Sequence, residues 1–71
     1  MAWVEHFRFP NRMAFDIWWL ENESDYLLIN RYPNYSIYRS LDENFTEYCL
    51  VEFLANGQAS FSIEQPSTSS V

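Results

Sequence analysis

The sequence predicts an all-β domain, either a small antiparallel meander or a curled sheet of about five strands. Several short segments alternate apolar and polar residues with a period of two, as strands with one buried face do. Short polar clusters separate these segments, and connections of that length join antiparallel neighbours. The dipeptide Asn56-Gly57 is the strongest short signal for a β-hairpin.

The first two segments with alternating apolar and polar residues are residues 3–9 and 13–20. Residues 3–9 alternate weakly and stop before a Pro-Asn dipeptide, which predicts an edge strand or an ordered arm. Residues 13–20 alternate more clearly, and Phe15, Ile17 and Trp19 would share one face of a strand. We therefore predict a strand for residues 13–20, and either an edge strand or an ordered arm for residues 3–9.

Two further strands complete the meander. The polar residues 21–25 predict a turn, and residues 26–30 form a short, largely apolar strand. Residues 31–34 contain Pro and Asn and predict a second turn, after which residues 35–39 alternate again. Short connections of this kind favour antiparallel pairing of consecutive strands.

The segment of residues 40–55 fits either a strand or a helix. Ser40 and Glu43 have the spacing of a capping box, which supports an alternative α+β fold with one helix over residues 41–55 packed on the sheet. The apolar residues of that helix would not gather on one side, however. We therefore prefer a hairpin centred on Asn56-Gly57.

The hairpin also predicts a register. A two-residue type I′ turn would place Leu54 opposite Ala59, Glu52 opposite Phe61, and Leu50 opposite Ile63. Glu52 would then be the only charge on the apolar face. The other face would carry Cys49, Val51 and Phe53.

Length and cysteine content predict a small domain that needs a partner. We predict one domain over residues 1–65 and a flexible polar tail over residues 66–71. A core in 71 residues supplies only a few kcal/mol, and one cysteine excludes an internal disulfide. We expect a homodimer or a tight hetero-complex rather than a stable monomer.

The charge distribution favours a protein partner with a basic surface. Ten acidic residues oppose four arginines, lysine is absent, and no base follows Arg39. Because phosphates and anionic lipids attract positive potential, we expect neither direct nucleic-acid binding nor membrane binding. We predict that the acidic contacts to the partner are Asp42, Glu43 and Glu47.

The N-terminal residues predict a cytoplasmic chain. Glu5, His6 and Arg8 interrupt the N-terminus before an apolar run of signal-peptide length can form. No apolar stretch in the sequence approaches the length of a membrane span.

The sequence offers little for catalysis or cofactor binding. His6 is the only histidine and Cys49 the only cysteine, so a nucleophile–base pair or a structural zinc site is poorly supported. With Gly57 as the only glycine, no phosphate-binding loop is present. We predict that the protein is not an enzyme and uses no cofactor and no metal.

Aromatic residues make up 20% of the chain and suggest a binding surface. A sheet this small cannot cover both of its faces, so Trp18, Tyr26 and Tyr38 are the predicted aromatic contacts to a partner. The preferred function is a non-catalytic inhibitor or adaptor that presents carboxylates and aromatic rings. In the most specific version of this hypothesis, the carboxylates mimic a nucleic acid. The alternatives are a small-ligand or carbohydrate-binding module that uses exposed Trp and Tyr rings, and a structural subunit of an oligomer.

As a type, very small, acidic, aromatic-rich domains resemble phage-encoded inhibitors that occupy nucleic-acid-binding enzymes. This resemblance is one of composition alone, because no motif in the chain matches a named family. It implies inhibition of a protein with a basic surface and identifies no residue.

Overall fold

The computed structural model describes residues 2–42, 44 and 46–65, and this part of the chain has an α+β fold. Five strands and one α-helix follow one another, with a short 3₁₀ turn after the helix. The elements are β1 (Ala2–Phe9), α1 (Arg12–Asn22), the 3₁₀ turn (Glu23–Asp25), β2 (Tyr26–Arg31), β3 (Tyr35–Ser40), β4 (Tyr48–Phe53) and β5 (Ala59–Gln65). Strand order in the single sheet is β1-β5-β4-β3-β2, and every neighbouring pair is antiparallel.

The topology places the helix on one face of the sheet. Strands β2 to β5 form a meander, and β1 adds to it beside β5. Helix α1 then carries the chain from β1 at one edge to β2 at the other. We call the face that packs against α1 the covered face, whose central row is Phe7, Phe61, Val51 and Ser36. The opposite, open face has the central row Glu5, Ser62, Leu50 and Ile37.

The predicted strand over residues 13–20 is wrong, because this segment forms α1. The side-chain oxygen of Asn11 accepts a hydrogen bond of 2.8 Å from the Ala14 N–H and caps the helix start. Phe15 and Trp19 are four residues apart, so they share a face in a helix as well as in a strand. Trp18 distinguishes the two structures, because only a helix places it on the same side as Phe15 and Trp19. In the helix, Trp18 therefore packs with Phe15 and Trp19 against the covered face of the sheet.

The hairpin between β4 and β5 is confirmed, and the alternative helix over residues 41–55 does not form. Its predicted register is wrong by one residue, because Phe53 faces Ala59, Glu52 faces Ser60 and Val51 faces Phe61. Gly57 has a φ of +89°, and no other described residue has a positive φ. Asn56 therefore does not take the type I′ conformation.

A longer loop accounts for the shifted register. The Leu54 N–H donates to the Gln58 carbonyl at 2.8 Å, and the Gly57 N–H donates to the Leu54 carbonyl at 3.0 Å. These bonds enclose a three-residue loop in which a tight turn ends at a left-handed glycine. The additional loop residue moves β4 by one position, which exchanges its two faces. Cys49, Val51 and Phe53 consequently lie on the covered face.

Aromatic rings make most of the contact between α1 and the sheet. The buried hydrophobic residues are Phe15, Cys49, Val51, Ala59 and Phe61. The Trp18 and Phe61 ring centroids are 5.0 Å apart, and those of Trp19 and Tyr38 are 4.7 Å apart. Ring pairs at such distances each contribute about 0.5–1.5 kcal/mol beyond the burial of their area. Large side chains thus bridge the space between helix and sheet.

Two predicted features cannot be compared with the structure. The tail, residues 66–71, and the acidic residue Glu43 lie outside the described residues. Among the residues that are described, no helix has the length and apolar character needed to cross a membrane.

Candidate functional site

The three aromatic residues predicted as partner contacts lie in the covered layer. Trp18, Tyr26 and Tyr38 are half-buried and pack against the core. The Tyr26 ring stacks on Trp19 at a centroid distance of 5.6 Å, and burial raises the pKa of the Tyr26 hydroxyl above its ordinary value. These rings therefore hold the helix on the sheet. A direct role in partner binding stays a prediction.

The predicted acidic residues lie in the connection between β3 and β4. Asp42 is exposed, and its carboxylate accepts a hydrogen bond of 2.9 Å from the Asn44 N–H. The Ser40 N–H donates to the Glu47 carbonyl at 2.8 Å, and the Leu41 N–H donates to the Asp25 carbonyl at 3.0 Å. These bonds place Asp42 and Glu47 at the end of the sheet where the 3₁₀ turn also lies.

That end of the molecule forms an acidic pole. Helix α1, β3 and β5 end there, and β2 and β4 begin there. The pole comprises Glu21, Glu23, Asp25, Asp42, Glu47 and Glu64. Arg39, near the end of β3 on the open face, is the base closest along the strands. The pole is not evident from the sequence, because its members come from both halves of the chain.

The opposite end carries most of the positive charge. Arg8 is the penultimate residue of β1, Arg12 begins α1 and Arg31 ends β2. The Arg8 guanidinium contacts the Glu5 carboxylate at 2.6 Å, and the Arg12 guanidinium contacts that of Asp16 at 3.1 Å. The molecule is therefore electrically polar along its strands.

The outward side of α1 is apolar, and we call it the outer stripe. Its members are Met13, Ile17 and Leu20, with exposed fractions of 71%, 59% and 73%. They recur at i, i+4 and i+7, directly opposite the rings that face the sheet. The i, i+4, i+7 spacing is present in the sequence, but a strand over residues 13–20 would place Leu20 on the face opposite Met13 and Ile17. A helix that is apolar on both sides is normally covered on both sides.

The exposed apolar surface is large for a chain of this size. In the described part of the chain, twelve large hydrophobic residues are exposed, whereas five hydrophobic residues are buried. Leu27, Leu28 and Ile29 in the edge strand β2 are exposed as well, on the sheet rather than on the outer stripe. Bulges interrupt both edge strands, at Ile29 in β2 and at His6 in β1. Such bulges discourage edge-to-edge pairing, so the helix offers the better docking surface.

A cleft of about 370 Å³ lies between the flank of α1, the end of β2 and the start of β3. Arg12 and Asp16 border it on the helix, and Arg31 borders it on the sheet. Aromatic and aliphatic side chains form most of the remaining lining. Because it combines aromatic rings with a few charged groups, the cleft is a candidate small-molecule site.

The one thiol of the chain is poorly suited to nucleophilic chemistry. Cys49 is buried on the covered face, and burial, followed by the charge of Glu47, raises its pKa to about 12. At neutral pH the thiolate, which is the reactive form, is essentially unpopulated. No group of three metal-ligating side chains converges among the residues that the structure describes.

Comparisons of the chain with protein-family models, with curated proteins and with solved structures find no match.

Proposed function

We propose that this chain is a non-catalytic protein-binding module that acts as an inhibitor or adaptor on a partner with a basic surface. The outer stripe of α1 is the observation that carries the proposal. Its three large apolar side chains are each more than half exposed, although the same helix already buries its other side. A partner that covers the stripe would remove this surface from water.

The free energy available from the outer stripe is large enough for specific binding. Complete burial of a side chain the size of Met, Ile or Leu contributes about 1.5–3 kcal/mol. Met13, Ile17 and Leu20 lie in one row, so a single apolar groove would contact all three. Rows with this spacing are the usual anchors when a helix docks into a groove.

The acidic pole supports a partner with a basic surface. Leu20, the last member of the outer stripe, is followed directly by Glu21, and Glu23 lies one helical turn further along the chain. The stripe therefore runs into the acidic pole, where Asp42 and Glu47 are also placed. A matching partner would have an apolar groove that is flanked by Lys and Arg. In a nucleic-acid-binding enzyme, such a surface is where phosphates bind.

Site-specific photo-crosslinking in cells of the source organism tests the proposal. A photoreactive amino acid replaces Leu20 in the outer stripe or, as a matched exposed leucine on the open face, Leu27. We expect a discrete protein adduct from position 20 and none from position 27. Mass spectrometry identifies the adduct, and the purified partner is then used for quantitative binding.

Two variants then distinguish the apolar and acidic contributions. Ile17→Glu should weaken binding to the purified partner at least tenfold, because it places a charge in the apolar contact. The double variant Asp42→Asn/Glu47→Gln should slow association, most strongly at low salt. Unchanged affinity of Ile17→Glu would refute the role of the stripe. Association that does not depend on salt would refute the basic partner.

A further inference from the structure

The cleft beside α1 brings aromatic rings and charged side chains together. Trp19, Tyr38 and Phe53 supply aromatic walls, and Ser36 and Val51 lie at its base on the covered face. Its volume of about 370 Å³ falls in the usual range of ligand pockets, which is roughly 300–1,000 Å³. The rings that line it are held by the core, so the walls are largely preformed.

Its charged groups give the cleft a small positive charge in an acidic protein. The Arg12 guanidinium lies 4.0 Å from the centre of the Phe53 ring and also contacts Asp16 at 3.1 Å. Arg31 enters from the end of β2, and no carboxylate of the described residues lies within ion-pair distance of it. Two guanidinium groups and one carboxylate leave one positive charge. Arg31 is thus available to bind an anion.

We propose that this cleft binds a small planar aromatic carboxylate. The aromatic ring would lie among Trp19, Tyr38 and Phe53, and the carboxylate would accept hydrogen bonds from the Arg31 guanidinium. A single negative charge matches the net charge of the cleft. A doubly charged phosphate would also meet the Asp16 carboxylate, which makes the monoanion the better match.

This site is separate from the surface proposed to bind a protein. Tyr32 and Pro33 line the cleft at the flank of α1, whereas no member of the outer stripe is among its lining residues. A ligand in the cleft would therefore leave Met13, Ile17 and Leu20 accessible. A negative result for the cleft therefore does not bear on the outer stripe, and a negative result for the stripe does not bear on the cleft.

An NMR titration with 2-naphthoate tests the site. The indole N–H of Trp19 reports on the cleft, and that of Trp3, on the open face opposite Glu64, provides an internal control. We expect a saturable shift at Trp19 with 2-naphthoate and little change at Trp3. The neutral analogue 2-naphthalenemethanol should bind at least tenfold more weakly, because it lacks the charge that Arg31 recognises.

A matched pair of arginine variants completes the test. Arg31→Gln should weaken 2-naphthoate binding at least tenfold, and Arg39→Gln, which removes the same charge from the open face, should change it less than twofold. The spectra also show that each variant remains folded. Equal affinity for the neutral analogue, an unchanged affinity in Arg31→Gln, or the absence of saturation would each overturn the proposal.

Discussion

Gly57 is the residue whose backbone conformation the β4–β5 hairpin depends on. Its φ of +89° lies in the left-handed region, and an added Cβ would meet no atom within 4 Å. The cost of substitution is therefore conformational rather than steric. We expect Gly57→Val to lower the free energy of unfolding by about 1–2 kcal/mol or more, because a β-branched residue resists positive φ.

Chemical denaturation measures this effect, and Gly57→Asn is the matched control. Asparagine adopts the left-handed conformation more readily than valine, so its cost should be clearly smaller. Equal stability of the valine variant and the native protein would show that the loop does not need a left-handed residue at this position.

Cys49 makes stability dependent on pH in the alkaline range. Burial raises its pKa to about 12, whereas the thiol of the unfolded chain ionises near its ordinary value of 9.0. Above about pH 9 the unfolded state loses a proton that the native state keeps, so stability falls as pH rises towards 12. The slope for one group is at most about 1.4 kcal/mol per pH unit. The raised pKa of Tyr26 acts in the same direction.

Denaturation between pH 8 and about pH 11 checks this prediction, with Cys49→Ala as the variant that removes the thiol contribution. The alanine variant should be less stable overall but should lose stability less steeply with pH. Alkylation of native Cys49 at pH 8 should be far slower than alkylation of the unfolded chain. Equal alkylation rates would contradict the buried position.

At the scale of the element, the register of β4 can be tested with two neighbouring residues. Val51 is buried opposite Phe61, whereas Glu52 faces Ser60 on the open face. We expect Val51→Ala to cost about 2–3 kcal/mol through lost burial and the cavity that it leaves. Glu52→Gln should change the free energy of unfolding by less than about 0.5 kcal/mol. The type I′ register would require Glu52 to be the sensitive position.

The apolar residues of α1 fit the periodicity of a strand as well as that of a helix. Phe15 and Trp19 fit both an alternating strand and a helix, so periodicity over a few residues does not separate the two. Asn11 is the local signal that favours the helix, since its side chain caps Ala14. The outer stripe follows from the same geometry. A strand would have placed Ile17 beside Phe15, whereas the helix turns it towards solvent.

For the whole molecule, the exposed stripe predicts self-association when no other partner is present. Two antiparallel copies of α1 centred on Ile17 would bring Met13 of one copy against Leu20 of the other. We expect a dimer in sedimentation equilibrium at micromolar concentration and a melting temperature that falls on dilution. Ile17→Glu should give a monomer.

The matched control for that measurement is Leu27→Glu, which adds the same charge at an exposed leucine of the open face. It should leave the dimer intact. A native protein that sediments as a monomer, with a melting temperature independent of concentration, would contradict self-association through α1.

Features that depend on short-range chemistry could be predicted from the order of the residues alone. The strands at residues 26–30 and 35–39, the hairpin near Asn56-Gly57 and the antiparallel meander are confirmed. Each depends on alternation or turn residues within a few positions of one another. The excess of acidic over basic residues was also evident from the sequence, because it is a property of composition.

Which side chains share a face depends on how the elements pack against one another. One additional loop residue moved Val51 to the covered face and Glu52 to the open face. The need to cover one side of the sheet selected a helix for the segment with Trp18, and the strand order brought acids from both halves of the chain to one end. These outcomes depend on contacts between residues far apart in sequence, whose free energies exceed the small local preferences that can be read from a single chain.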